Sequence, residues 1–315
     1  MNNIKYKKYI ILLLLIVPAL YIFMGFFFHS ERAYYFMYST DQEYCYLFNG
    51  INLAQYTLKV WHVDHPGTPI QFLTAIVIRV VHLFRSNEPF LKDIMQNSAL
   101  YAKAVNITMF SITALLLFIL GILALKFTKS IIQSIFLQLT PFVSYLVLTL
   151  VFRINTENMA VMCFIMMGIL IIKYLGKENT SSKLIDKYFI GFSVVAGFSM
   201  AVKITFFPIL FIPLFLFKGF FRKILYCVFS VFAFLIFISP VLLYRFRYFY
   251  YWIKDLIIHS GQYGGGKANI IDKGAYLNAL KLTFTTEYFF TISFLVFLLA
   301  VIIYQIPYVK IKVRN

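Results

Sequence analysis

Long uninterrupted apolar runs dominate this chain, at Tyr9–Phe28, 224–244 and 289–306 among others. Each has roughly the 20 residues needed to cross a hydrocarbon core of about 30 Å. A backbone placed in lipid must satisfy its own hydrogen bonds, so runs of this kind fold as helices. Composition agrees: 61% of residues are hydrophobic and 13% charged, against about 25% charged in soluble domains. The sequence therefore predicts an all-α polytopic membrane protein. Tyr9–Phe28 is longer than a signal core and no small-x-small cleavage site follows it, so it reads as a retained first span.

The net charge of +17 is spread over short basic clusters at the ends of apolar runs. Such clusters set topology, and they lack the single basic face that nucleic acid requires. No nucleic-acid partner is expected. Cys45, Cys163 and Cys227 show no metal-ligand spacing, which argues against a disulfide framework or a zinc site. Lys5, Lys7 and Lys8 before the first span place the N-terminus in the cytoplasm, and Lys310, Lys312 and Arg314 do the same for the C-terminus. Residues 29–69 then form a first extracytoplasmic loop and 245–287 a last one, with no soluble C-terminal domain. In the last loop Arg245, Arg247, Lys254, Lys267, Lys273 and Lys281 outnumber Asp255, Asp272 and Glu287, against the usual charge rule. The apolar runs come to an odd number, whereas two cytoplasmic termini need an even number of crossings. Either 69–84, which is short and carries Arg79, or 131–150, which contains Pro141, is an interfacial or partial helix.

Three polar elements fall on the outer face. In Thr40-Asp41-Gln42-Glu43-Tyr44, two carboxylates near a membrane surface could act as a general base with an electrostatic or metal partner, or be merely solvated. Apolar residues at helical spacing over 44–56 predict an interfacial helix behind them. In Val63-Asp64-His65-Pro66-Gly67-Thr68-Pro69, prolines and a glycine fix a turn, and Pro69 suits a helix's first turn with Thr68 or Gly67 as cap. That turn would hold Asp64 and His65 beside the loop acids. In Ala201-Val202-Lys203-Ile204-Thr205, a lysine lies at the outer apex of a tight hairpin built from 188–201 and 204–217. A cation there is costly unless paired or hydrated, so it either pairs with Asp41, Glu43 or a substrate phosphate or snorkels to the interface. Two further elements accompany these. Glu157 stands at an outer helix start, and His259 to Lys267 is a glycine-rich loop whose His259 and Tyr263 could approach a sugar or phosphate.

The order of these elements resembles the GT-C glycosyltransferases, in the branch of protein O-mannosyltransferases and lipid A aminoarabinose transferases (glycosyltransferase family 39-like). Asp41 looks like the acidic "DE" element, Asp64 to Pro69 like its "HPP" element in a Gly-Thr variant, and Lys203-Ile204-Thr205 with Pro208 like its "K-[YF]-T…P" element. Asn155-Thr156-Glu157 sits where that branch often has a Thr-Asp pair. Gln42 stands where the second acid is common, and the chain is short for the branch. The resemblance implies a GT-C-type bundle of about 8 transmembrane helices and transfer of a sugar from a polyprenyl-phosphate donor to a lipid, glycan or protein acceptor. Asp41 would be the base, assisted by Glu43. Lys203 would bind the donor phosphate, and Asp64, His65, Glu157, His259 and Tyr263 would line the substrate site. No cofactor is required; a divalent metal, if used, would fall on Asp41 and Glu43. The setting implied is the plasma membrane with the site on the outer face. The alternative is a transporter or flippase for a lipid-linked or anionic substrate, or a non-catalytic relative.

Overall fold

The structure is a computed structural model. It describes residues 4–30, 42–85, 87–144, 148, 153–176, 184–258 and 273–314. Every element among them is helical, and five helices are long and apolar enough to cross a membrane, six if one bent pair counts as a single span. The chain is a membrane protein of helical class. It divides into two units, residues 1–138 with 150–253, and 139–149 with 254–315.

In the first unit α1 (Ile4–Ser30) lies antiparallel to α5 (Ser98–Thr128). Gly25 rests on the ring of Phe110, and Phe26 meets the same ring edge-on at 5.2 Å. Further along, α6 (Ile131–Gln138) inserts Gln138, whose Nε2 donates to the Leu14 and Leu117 carbonyls at 3.0 Å each. Pro18 is the reason Leu14 has a carbonyl to offer. Proline has no N–H, so the carbonyl four residues earlier loses its helical donor. In lipid that group must find another, and Gln138 supplies it. The amide can reach because residue 121 is glycine; a Cβ there would lie 2.4 Å from the Gln138 side chain.

Helix α7 (Thr156–Leu175) runs parallel to α5, with Gly168 beside Leu120 and Gly176 beside Phe127. Next, α8 (Lys187–Val202) packs antiparallel to α7, joined by Tyr174 and Tyr188 at one end and Glu157 and Lys203 at the other. The chain returns through a 3-10 helix (Ile204–Leu210) and α9 (Phe211–Leu216), so that Phe217 rejoins Tyr174 and Phe189. The arms of this hairpin are short, as the sequence predicts. Sixteen residues of α8 span about 24 Å, and the return reaches about 23 Å only because 3-10 coils rise about 2.0 Å per residue. Then α10 (Phe220–Phe237) runs parallel to α8, and Gly197 lets the two backbones close, since a Cβ there would lie 2.5 Å from the Ser230 carbonyl. Small residues at such a contact are the usual means of helix association in lipid.

These contacts define two ends, a near end where α1 begins and a far end where it finishes. Helix α2 (Gln42–Ala54) packs on α3 (Thr68–Arg85) at Gly50 and Thr74. By length and composition α3 could cross a membrane, yet both its ends lie at the far end of the bundle. Its first residue follows Gly67, which lies on Tyr46 beside Thr156, at the start of α7. Its last turn meets the first turn of α5 through α4 (Phe90–Gln96). There Asp93, buried, accepts from the Tyr101 hydroxyl, from Arg85 at 3.3 Å and from Asn97 at 2.9 Å, and pairs with His82 at 3.2 Å. These partners, the Tyr101 hydroxyl first, hold the Asp93 carboxyl down at about 2. Arg79 is not stranded in apolar surroundings: it donates to the Ala54 carbonyl at the end of α2 and lies over the Phe90 ring at 4.1 Å.

The second unit holds α12 (Lys273–Thr286) and α13 (Tyr288–Arg314), bent by 93° at Glu287. Glu287 accepts from the Ser144 hydroxyl at 2.9 Å, and Phe284, Phe290 and Phe294 cluster inside the bend.

Candidate functional site

The far end of the first unit gathers the polar residues singled out by the sequence. Asn155 caps α7 by accepting from the Asn158 amide at 2.9 Å, which frees Glu157 in the first turn to face outward from the helix. Lys203 breaks the chain between α8 and the 3-10 helix in an extended conformation. Its ammonium donates to Glu157 Oε1 at 2.6 Å, while Thr156 Oγ1 donates to Oε2 at 2.9 Å. Both charged side chains are about one-fifth exposed, at 17% and 22%. Among the described residues the ion-pair partner of Lys203 is therefore Glu157, on a different helix 46 residues away.

Asp64 and His65 are brought to this pair by the turn ahead of α3. The turn is pinned by amides from both flanking helices. Asn49 accepts from the Trp61 amide at 2.9 Å and donates to the His62 carbonyl, and Gln71 donates to the His62 and Pro66 carbonyls at 3.3 Å. The Gly67 carbonyl, rather than a side chain, receives the first amides of α3, from Ile70 and Gln71. Two residues in the turn adopt left-handed backbone, His65 at φ 51° and Gly67 at φ 61°. Tyr46, fully buried on α2, packs its ring under Gly67 and turns its hydroxyl toward Thr156. Burial, and then the Glu157 charge, push the Tyr46 phenol well above its ordinary range. It is a neutral donor at any physiological pH.

His65 meets Trp252 edge-on at 5.5 Å, and its buried Nδ1 makes no hydrogen bond among the described residues. Trp252 belongs to α11 (Ser239–Ile258), which kinks at Arg245. Arg245 donates to the Val60 carbonyl at 3.3 Å and covers the Trp61 ring at 3.8 Å, fastening this helix over the turn. Burial first, and the Lys203 charge second, hold the imidazole of His65 down at about 4. The unfolded chain would take a proton near pH 6.5 that the folded site refuses. Between those values the unfolded state binds more protons, so stability rises with pH and is lost as pH falls from about 6.5 toward 4. Thermal unfolding in detergent should show this decline, and His65→Asn, which keeps a residue tolerant of left-handed backbone, should flatten it. Identical pH profiles for the two proteins would contradict the site's electrostatics.

Glu43 lies in the first turn of α2, one turn before Tyr46 on the same side. Asp41, His259 and Tyr263 lie outside the described residues. Among the described residues no group of three or more His, Cys, Asp or Glu side chains comes together as a metal site. The buried amides Asn49 and Gln71 and the phenol of Tyr46 were not singled out as site residues from sequence. The Asn49-Gly50 pair was a signal, since an amide beside a glycine marks a close helix contact. Compared with known proteins, the chain matches no family model, no curated protein and no solved structure.

Proposed function

We propose that the chain is a membrane glycosyltransferase of GT-C type that moves a sugar from a polyprenyl-phosphate donor to an acceptor hydroxyl on the extracytoplasmic face. The observation that carries this reading is the Lys203–Glu157 pair, a partly exposed cation at a helix break, with Asp64 and neutral His65 held beside it by a clamped turn. An intramembrane cation at such a break is a functional site by default. A lipid-linked phosphate can reach it sideways from the bilayer, competing with Glu157 for the ammonium. Neutral His65, beside Asp64, lines the donor site. Asp41 takes the proton of the acceptor hydroxyl, the acceptor oxygen bonds to the anomeric carbon, and the bond from that carbon to the phosphate oxygen breaks. Polyprenyl phosphate leaves with its new charge on Lys203. Gathering of these groups at one end of the helices, rather than midway, favours surface chemistry over a transport pathway.

Since α3 begins and ends at the far end, the odd count of apolar runs resolves in this proposal. With α3 as an outer interfacial helix beside α2, an even number of crossings remains and both termini are cytoplasmic.

Incubation of the purified protein with polyprenyl-phosphate sugars and candidate acceptors tests the reading. Lys203→Ala should lower transfer by about 10²- to 10³-fold, the usual cost of removing one charge-stabilising donor, and Asp41→Asn should abolish it. Equal transfer by wild type and both variants with a donor that is turned over would overturn the assignment.

A further inference from the structure

At the near end, opposite the Lys203 site, α5 and α7 finish side by side and leave an open cleft of about 540 Å³. Clefts that hold small molecules run from about 300 to 1,000 Å³. Leu123 and Phe127 from α5 and Ile172 from α7 give it apolar walls, and Lys126 and Lys173 stand at its mouth, one from each helix. Gly176, which caps α7, also lines the cleft. Any side chain at Gly176 would press on the Phe127 ring, whose nearest atom lies 3.3 Å from the position of a Cβ.

Each lysine alone has an ordinary explanation, as a cation near a helix C-terminus and a topology signal at a span end. Neither explanation accounts for two of them lining one apolar cleft. Both are exposed, and neither forms an ion pair among the described residues. Like charges held together over an apolar wall complement an amphiphile with an anionic head, and basic clefts between membrane helices bind such headgroups. We propose that this cleft holds an anionic glycerophospholipid of the leaflet at the near end, with its phosphate diester between Lys126 and Lys173 and an acyl chain along Leu123, Phe127 and Ile172. This site is independent of the transferase reading.

Native mass spectrometry of the full chain in detergent, supplied with phosphatidylglycerol or phosphatidylethanolamine of identical acyl chains, tests it. Wild type should retain phosphatidylglycerol preferentially, and raised salt should remove that preference. Lys126→Gln with Lys173→Gln should weaken phosphatidylglycerol retention by about ten- to thirty-fold. Lys218→Gln, another near-end lysine outside the cleft, should leave it unchanged. Equal retention by wild type and the double variant, or no preference in wild type for the anionic lipid, would overturn the proposal. So would displacement of the lipid by millimolar inorganic phosphate, since a headgroup site without an acyl contribution is a different site.

Discussion

Gly67→Ala is expected to destabilise the protein by about 2–5 kcal/mol and to disable the far-end site with it. Two costs add at this position. Gly67 has φ 61°, where an L-residue loses roughly 1–2 kcal/mol. A Cβ there would also fall 2.2 Å from Tyr46 Cε1, an overlap that overpacked cores relieve at about 1–3 kcal/mol. Tyr46 cannot retreat cheaply, because it is fully buried. The two costs can be separated. Gly67→Asn tolerates the left-handed backbone but keeps the overlap, so it should recover less than half of the loss. Gly67→Ala with Tyr46→Leu removes the overlap and keeps the backbone cost. Unfolding midpoints in detergent for the three proteins give the comparison. An unchanged midpoint in Gly67→Ala would mean that the turn is not clamped as described.

Gln138→Leu is expected to cost about 2–4 kcal/mol, because an unsatisfied carbonyl in lipid costs several kcal/mol and membrane helices recover only part of it by relaxing. The diagnostic lies in the coupling to Pro18. The Leu117 carbonyl has a helical donor of its own, four residues on. The Leu14 carbonyl has none, because residue 18 is proline. Pro18→Ala should therefore rescue most of the Gln138→Leu defect by returning a backbone donor to Leu14. Additive losses in the double variant, measured by the same unfolding assay, would show that the Gln138 amide is not serving that carbonyl.

How much of this was legible in the sequence depends on how local each feature is. The helical membrane class follows from run length, and the turn at Asp64 to Pro69 follows from its prolines and glycine. The Lys203 hairpin follows from a lone cation between apolar arms. The partner of Lys203 was not legible, since Asp41, Glu43 and Glu157 are equally eligible until the helices are packed. Likewise nothing in the spacing of His82, Arg85, Asn97 and Tyr101 announces a common carboxylate at Asp93. Gln138 lies 124 residues from the carbonyl it serves, so its role is invisible without the packing of α1 on α5 and α6. For α3 the signal was present but ambiguous. Arg79 marked the run as suspect, but only its contacts at both ends place it along the far end.

The brevity of the arms on either side of Lys203 bears on how a lipid would meet them. They reach about 24 Å and 23 Å, against a hydrocarbon thickness near 30 Å. Lipids surrounding so short a hairpin compress to match it. In the proposed arrangement, where this hairpin crosses the bilayer, the membrane would thin beside it and the plane of headgroup phosphates would dip toward the ammonium. A phosphate carried on a long isoprenoid tail would arrive there by lateral drift alone, without lifting out of its leaflet.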